Sequence, residues 1–253
     1  ADVRAPRALR VAVVGAPGYA GGELIQILAR HPGVRVTRLM ADIKKPLPVE
    51  SVHPRLRGRG LPVCEPPGPE ALALPEVELV FLATPHQAAH DMAPAFLERG
   101  LRVIDLSAAF RLKDANAYPR WYGFEHRAPG PLAEAVFGAP ELFKEKIRQA
   151  RLLANPGCYA TSAILALARI LRAGWVNVER GMICDSKSGA SGAGRTPSDK
   201  LHFPEVNESL RAYGLFNHRH VPEMLQLLGL AEKDFIFTPH LLPINRGILS
   251  TTY

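Results

Sequence analysis

Leu9-Arg10-Val11-Ala12-Val13-Val14-Gly15-Ala16-Pro17-Gly18-Tyr19-Ala20-Gly21-Gly22 is the stretch whose reading decides the fold. Its first six residues are almost all apolar or β-branched, the pattern of a strand buried on both faces. The run enters a G-x-x-G-x-x-G turn, and a helical segment follows from Glu23 to Arg30. Each glycine has a physical task in that setting. Gly15 permits the sharp turn, Gly18 lets a pyrophosphate approach the backbone, and Gly21 lets the helix pack close to the strand. Tyr19 and Ala20 complete the candidate cofactor loop. The plain alternative is a tight strand-to-helix turn that binds nothing.

Downstream the strand–helix alternation continues. Val34 to Met40 reads as a second strand, followed by Asp42, Lys44 and Lys45. An acid there suits an adenosine ribose hydroxyl, whereas basic residues suit a 2′-phosphate, so the two lysines, Lys44 above all, tilt the expectation toward NADP. Residues 46 to 76 carry no periodicity and read as a long loop with a short strand at Leu61-Pro62-Val63. Val77 to Ala83 is a buried strand ending in Thr84-Pro85-His86, and Gly100 to Ser107 is another, running on to Arg111. Ligands in open parallel sheets bind outside the carboxyl ends of strands. His86 and Arg111 are therefore placed for function, although either alone is more often a plain surface residue. Tyr118 to Gly138 reads as irregular and rich in aromatic residues that cover a core or a subunit contact, and Pro140 to Arg148 as a short helix.

Leu152-Leu153-Ala154 then leads into Asn155-Pro156-Gly157-Cys158, with helix-forming residues to Ala173. This places a thiol at a helix N-terminus, where free N–H groups and the helix dipole favour a thiolate. A buried, inert cysteine is the alternative. Beyond it the pattern changes. Gly181 to Ser186 reads as a strand of a new sheet, and Lys187 to Arg195 as a small-residue loop of main-chain donors, with Ser188 and Gly189 suited to a phosphate or a nicotinamide ribose. His218-Arg219-His220-Val221-Pro222-Glu223 opens a helix, since Pro suits the first helical turn. Asp234 to Leu241 and Gly247 to Tyr253 read as strands of an antiparallel sheet.

Length and composition bound the function. At 253 residues, the chain suggests two domains; the pattern divides at 1–156 and 157–253. Apolar residues make up 47% and charged residues 22%, within the range of ordinary globular proteins. Ala160 to Trp175 is broken by Arg169 and Arg172, too short and too charged to span a membrane, and the N-terminal stretch to Arg7 lacks the apolar core of a signal peptide. Cys64, Cys158 and Cys184 have no paired spacing, which argues against a disulfide scaffold or zinc site and for a reducing, cytoplasmic setting. The net charge of +7 comes from scattered basic residues. That favours phosphorylated or carboxylate ligands, or an acidic partner protein, over nucleic acid, with a plain solvated basic surface as the equal alternative.

Taken together and in order, five segments carry a resemblance. They are Gly15 to Gly21, Ser107-Ala108-Ala109-Phe110-Arg111, Asn155 to Thr161, Ser188 to Arg195, and His218 to Glu223. The chain resembles the N-acetyl-gamma-glutamyl-phosphate reductases of arginine biosynthesis, within the wider aspartate-semialdehyde dehydrogenase group. The resemblance implies an α/β fold: an N-terminal Rossmann domain binding NADP, then an α+β catalytic and dimerisation domain with a mixed, largely antiparallel sheet. It implies NADPH-dependent reduction of a small acyl phosphate to an aldehyde, in a homodimer or homotetramer with no metal. Cys158 is then the nucleophile, and His218 or His220 the acid/base, with His220 preferred because it lies nearest the helix start. Glu223 supports them, Arg195, Arg219 and Arg111 face phosphate or carboxylate groups with Ser107 also at the substrate, and Thr84, Pro85 and His86, with Ser188 and Gly189, help the glycine turn hold the cofactor. Two departures stand out. The family usually has Asp at the position of Ala109, and its chains run on past Tyr253, which implies a second domain that is incomplete here.

Two other readings remain at this level. One is the sister reductase acting on a carrier-protein-bound aminoadipyl phosphate in lysine biosynthesis, which a basic surface would suit. The other is a non-catalytic NADP-binding module, which needs the glycine turn and no reactive thiol. A cysteine hydrolase leaves the dinucleotide-type turn without a purpose, and a metal at His-x-His lacks further ligands.

Overall fold

A computed structural model of the chain describes residues 7–67 and 76–253. Residues 1–6 and 68–75, which include most of the N-terminal stretch and part of the expected long loop, lie outside the described residues. The chain forms two compact units. The first comprises residues up to Phe110 together with Ala128–Gly138 and Glu145–Asn155; the second comprises Arg111–Arg127, Ala139–Lys144 and Pro156–Tyr253.

In chain order the elements are β1 (Leu9–Val14), α1 (Tyr19–Leu28), β2 (Val34–Met40), α2 (Val49–Val52), β3 (Cys64–Glu65), β4 (Leu79–Leu82), α3 (His86–Glu98), β5 (Arg102–Asp105), α4 (Ala117–Tyr122), α5 (Pro129–Glu134), β6 (Val136–Phe137), α6 (Pro140–Gln149) and β7 (Leu152–Ala154). They continue with α7 (Cys158–Arg172), β8 (Met182–Gly189), α8 (Phe203–Val206), β9 (Arg211–Ala212), α9 (Val221–Leu228), β10 (Phe235–Leu242) and β11 (Ile248–Thr252).

The first unit is built on a seven-stranded sheet in the order β3-β2-β1-β4-β5-β7-β6, with every pair parallel. β1 lies inside it, and Val11, Ala12 and Val13 are wholly buried, as a doubly covered strand requires. Strand order reverses between β1 and β4, so the turns after these two strands adjoin at a topological switch point. The second unit carries a four-stranded sheet in the order β11-β8-β10-β9. Helix α7 buries Tyr159, Ala160, Ala163, Ile164, Leu167 and Ala168, spaced three to four residues apart, so that one stripe faces the core. It is tied to the sheet by Ser162 Oγ, 2.7 Å from Ser250 Oγ on β11.

Several local expectations are corrected. α1 starts at Tyr19 rather than Glu23, so Gly21 and Gly22 lie inside the helix. β8 runs through Lys187, Ser188 and Gly189, which were expected in a loop, because Gly189 pairs with Leu242 of β10. The longest pairing of the second sheet, β8 with β10, is parallel, and only β11–β8 and β10–β9 are antiparallel. The aromatic stretch is partly helical: Tyr118 is fully buried, with Tyr122, Phe124 and His126 around it at 4.6–5.4 Å between ring centres. The short strand expected at Leu61-Pro62-Val63 falls instead at Cys64-Glu65.

Candidate active site

Cys158 is the first residue of α7, after the extended residue Gly157. Two N–H groups, its own and that of Tyr159, face the sulfur and pull its pKa down. Burial outweighs them, and the thiol is held above its ordinary value. A nearby base is therefore needed to make the nucleophile at neutral pH.

Cys158 shares a cavity of about 600 Å³ with Ser188, Gly189, Lys200, Arg211, Tyr213, His218, Arg219 and His220, among others. The two histidines differ in what they can do. The backbone N–H of His220 donates to His218 Nδ1 at 3.1 Å. His218 Nδ1 thus acts as an acceptor, and the neutral ring carries its proton on Nε2. Burial, then the charge of Arg219, lowers the pKa of His218 to about 4. His220 is 6% exposed, and its Nδ1 has no hydrogen-bond partner among the described residues. Burial first, then Arg111, His218 and Arg219, holds its pKa well below the ordinary imidazole value. Both rings are neutral at pH 7, and of the two only His220 has an uncommitted ring nitrogen as base.

Gly157 seats His220. Its backbone (φ −64°, ψ 152°) is open to any residue. A Cβ there, however, would stand 2.5 Å from His220 Nε2 and 2.6 Å from Cδ2 and Cε1. The glycine is needed because the imidazole lies against it. The Gly157 N–H also donates to Glu223 Oε2 at 2.9 Å.

Glu223 does not line the cavity. It is fully buried, and its Oε1 accepts from Arg111 Nη1 at 2.9 Å and from the Tyr122 hydroxyl at 3.4 Å. Arg111 is itself buried and turned to this carboxylate. Of the arginines expected at the substrate, Arg219 lines the cavity, and no carboxylate lies within ion-pair distance of it among the described residues. Arg195 is exposed and outside the lining. Tyr213 and Tyr159, absent from the candidate set, form a chain: Tyr213 OH donates to Tyr159 OH at 3.1 Å, and Tyr159 OH to the His240 carbonyl at 3.0 Å. Lys200 and Arg211 were likewise not singled out; they stand in no motif.

The cofactor candidates of the first unit gather at the switch point. Gly15 has φ +91°, and a Cβ on it would stand 2.2 Å from the Ala83 carbonyl oxygen, so no other residue fits. A Cβ on Gly21 would stand 2.3 Å from Gly15 O, which explains the close helix packing. Gly18 precedes Tyr19 and Ala20, which open α1 with free N–H groups. Next to this turn Thr84 Oγ1 is buried with no hydrogen-bond partner among the described residues, and Pro85 and His86 open α3. An orphaned hydroxyl beside an uncapped glycine-rich helix start fits a dinucleotide. Lys44 is exposed just past β2. Ser107 is held differently: its N–H donates to Asp105 Oδ1, and its Oγ accepts from the N–H of Ala109. Ala109 is wholly buried, so a carboxylate at this position would lose contact with water. In the second unit the glycine at 189 is accounted for by packing, because a Cβ would stand 2.6 Å from the Arg246 nitrogen.

Comparison with known proteins accounts for nearly the whole chain. The family model for the semialdehyde dehydrogenase NAD binding domain matches residues 10–150, and that for the semialdehyde dehydrogenase dimerisation domain matches 158–253. An N-acetyl-gamma-glutamyl-phosphate reductase from Magnetococcus marinus is 46% identical over 250 residues, covering 98% of this chain and 71% of the relative. The proteins of the same name from Syntrophobacter fumaroxidans and Methanopyrus kandleri are 49% and 48% identical, each likewise covered over 71% of its length. Among solved structures, aspartate semialdehyde dehydrogenase with NADP from Candida albicans aligns with a TM-score of 0.68 at 14% identity, over 97% of this chain and 71% of that one. Aspartate semialdehyde dehydrogenase II complexed with ASA from Vibrio cholerae aligns at 0.66 and 16%, over 97% and 74%. At those identities the likeness is one of fold. The chain belongs to the semialdehyde dehydrogenase family, and within it to the N-acetyl-gamma-glutamyl-phosphate reductases.

Proposed function

We propose that this chain reduces N-acetyl-gamma-glutamyl phosphate to N-acetylglutamate 5-semialdehyde, using NADPH and a thioester on Cys158, in arginine biosynthesis. The observation that carries the reading is the shared cavity: a thiol at a helix start, a neutral histidine with an uncommitted ring nitrogen, and an arginine with no carboxylate partner among the described residues. His220 takes the proton from Cys158 Sγ. The thiolate attacks the acyl carbon, the bond from that carbon to the bridging oxygen breaks, and phosphate leaves. Arg219 faces the departing charge, with Lys200 and Arg211 as further cations of the same wall. The N–H groups of Cys158 and Tyr159, which face the sulfur, serve as donors to the oxyanion; one such donor is worth about 3–4 kcal/mol. NADPH, when bound, supplies the hydride that reduces the thioester. His220 returns its proton to the carbonyl oxygen of that thioester. The hydroxyl of this thiohemiacetal then gives up its proton through His220 to Sγ as the C–S bond breaks, releasing the aldehyde and the free thiol. With its pKa held low, the imidazolium is a strong acid for that return step.

In this reading His218 donates from Nε2 to the substrate, and Glu223 and Arg111 are positioning residues that hold the turn before Cys158. Gly15, Gly18, Tyr19, Ala20, Gly21, Thr84, Pro85, His86 and Lys44 hold NADPH. The division of labour falls near residue 156. On the sheet of the second unit Ile183, Ile236 and Leu249 are 43%, 43% and 66% exposed. This supports self-association as a homodimer, or a homotetramer built from it. Three free cysteines suit a reducing cytoplasm. Among the described residues no helix is long and apolar enough to cross a membrane.

The deciding experiment is an assay of NADP reduction with N-acetylglutamate 5-semialdehyde and inorganic phosphate. Phosphate-dependent turnover, abolished in Cys158→Ser, is expected. No turnover by the unmodified chain, or turnover only of a carrier-linked aminoadipyl substrate, would sink the proposal.

A further inference from the structure

The segment Val49-Glu50-Ser51-Val52-His53-Pro54-Arg55-Leu56 read as featureless loop, and no role in the reaction falls on it. In the structure it is an ordered buckle. Helix α2 passes directly into a 3-10 turn at Pro54–Leu56, with His53 at the junction. His53 N–H donates to Val49 O at 2.9 Å, and His53 O accepts from Leu56 N–H at 2.9 Å. Val49 and Leu56 are in the same buried apolar cluster as Ala16 and Ile25.

The side chain of His53 points from this buckle at the glycine-rich turn. Its Nε2 lies 3.2 Å from the carbonyl oxygen of Ala16. A carbonyl can only accept, so Nε2 carries the proton. The ring also lies flush on Gly22: a Cβ there would stand 2.5, 2.6 and 2.8 Å from Cε1, Nε2 and Nδ1. Gly22, which the cofactor motif does not require, is a glycine because the imidazole occupies the place of its side chain. His53 is 7% exposed and Ala16 wholly buried. Arg55, two residues on, forms an ion pair with Glu23 of α1. The front of the same turn is pinned by Gly15 N–H and Ala16 N–H, both donating to Met40 O.

We propose that His53 is a positioning residue for cofactor binding: it braces the Gly15–Gly22 turn from behind and presets the conformation that receives the pyrophosphate. Removing the ring leaves the buried Ala16 carbonyl without this donor and opens a void over Gly22. A turn freed in this way must be ordered by the ligand, and that weakens binding without altering the chemistry at Cys158. The inference rests on the reading of this turn as the NADPH site.

The test uses the whole chain. For His53→Ala, amide exchange of residues 15–22 in the free protein is expected to be at least tenfold faster. The Kd for NADPH, from fluorescence titration, rises about tenfold. At saturating NADPH, kcat stays within twofold, and the rate of Cys158 alkylation by iodoacetamide is unchanged. His53→Gln, which keeps a donor toward Ala16, recovers part of the affinity. A folded His53→Ala protein with unchanged turn exchange and unchanged Kd overturns the proposal, as does a fall in kcat with no change in Kd. Should His53→Ala not fold, Gly22→Ala decides, since its methyl displaces the ring while His53 remains. Faster turn exchange with weaker NADPH binding supports the brace, and unchanged exchange overturns it. If the unmodified chain binds no NADPH, the cofactor reading fails on that result alone, while turn exchange still decides whether His53 holds the turn.

Discussion

Glu223 shows how one side chain can shape a site it never touches. Its buried carboxylate takes the Arg111 guanidinium on one oxygen and the Gly157 N–H on the other. Removing one partner of a buried pair leaves a charge without compensation, at a cost of about 3–5 kcal/mol. Glu223→Gln is accordingly expected to lower the chemical denaturation midpoint by that order. It should also shift the alkylation profile of Cys158 to lower pH, because the Glu223 charge raises the thiol pKa and that of Arg111 lowers it. An unchanged profile would show that the pair does not act on the sulfur. The histidines make a second prediction. His218 titrates at about 4 when folded and near 6.5 when unfolded. Its contribution to stability is therefore present above pH 6.5 and lost as pH falls toward 4, where the unfolded chain takes up the proton first. Urea midpoints measured across pH 7 to 4 should fall, and less steeply in His218→Asn.

At the level of elements, the turn from β7 to α7 is held by neighbours far away in sequence. Asn155-Pro156-Gly157 is readable locally as a strand-to-helix turn, but the reason for Gly157 is not. Its φ is ordinary, and only the imidazole of His220, 63 residues later, occupies the place where a Cβ would go. Gly157→Ala is expected to cut kcat by at least a hundredfold through displacement of His220, with a loss of thermal stability smaller than that of Gly15→Ala. In Gly15→Ala the added methyl meets backbone, the Ala83 carbonyl, and φ is +91°. Equal activity in Gly157→Ala and the unmodified chain would remove His220 from the acid/base role. The same logic applies to β8. A run of small residues reads as loop, yet it is strand through Gly189, because β10 pairs with it over eight positions and a neighbouring turn crowds out any side chain at 189.

At the scale of the whole molecule, the exposed apolar side chains of the second sheet are the feature with a consequence for assembly. Ile183, Ile236 and Leu249 are too exposed to serve a core of this chain. Leu249→Lys with Ile236→Lys is expected to shift the sedimentation of the chain from dimer toward monomer, and an unchanged distribution would place self-association elsewhere. The fold itself was largely legible. β1, the glycine turn, β2, β4, β5 and α7 are local patterns of period and punctuation, and the sheet order follows from parallel strand–helix alternation. Less legible were the ordered buckle at Val49–Leu56, the parallel β8–β10 pair and the short helices among the aromatic residues. Each depends on partners distant in sequence.

The sequence by itself determined which chemistry the chain carries: a glycine-rich turn after a buried strand, a thiol at a helix start and a paired histidine motif, all set by short-range backbone physics. Only the tertiary structure decided the surroundings of each group. It separated His220, with its uncommitted Nδ1, from His218, whose Nδ1 accepts a backbone N–H. It paired Arg111 and Glu223 with each other in the interior, and it set His53 against the glycine-rich turn. Protonation, burial and hydrogen-bond partnership depend on groups brought together by folding, and no spacing along the chain encodes them.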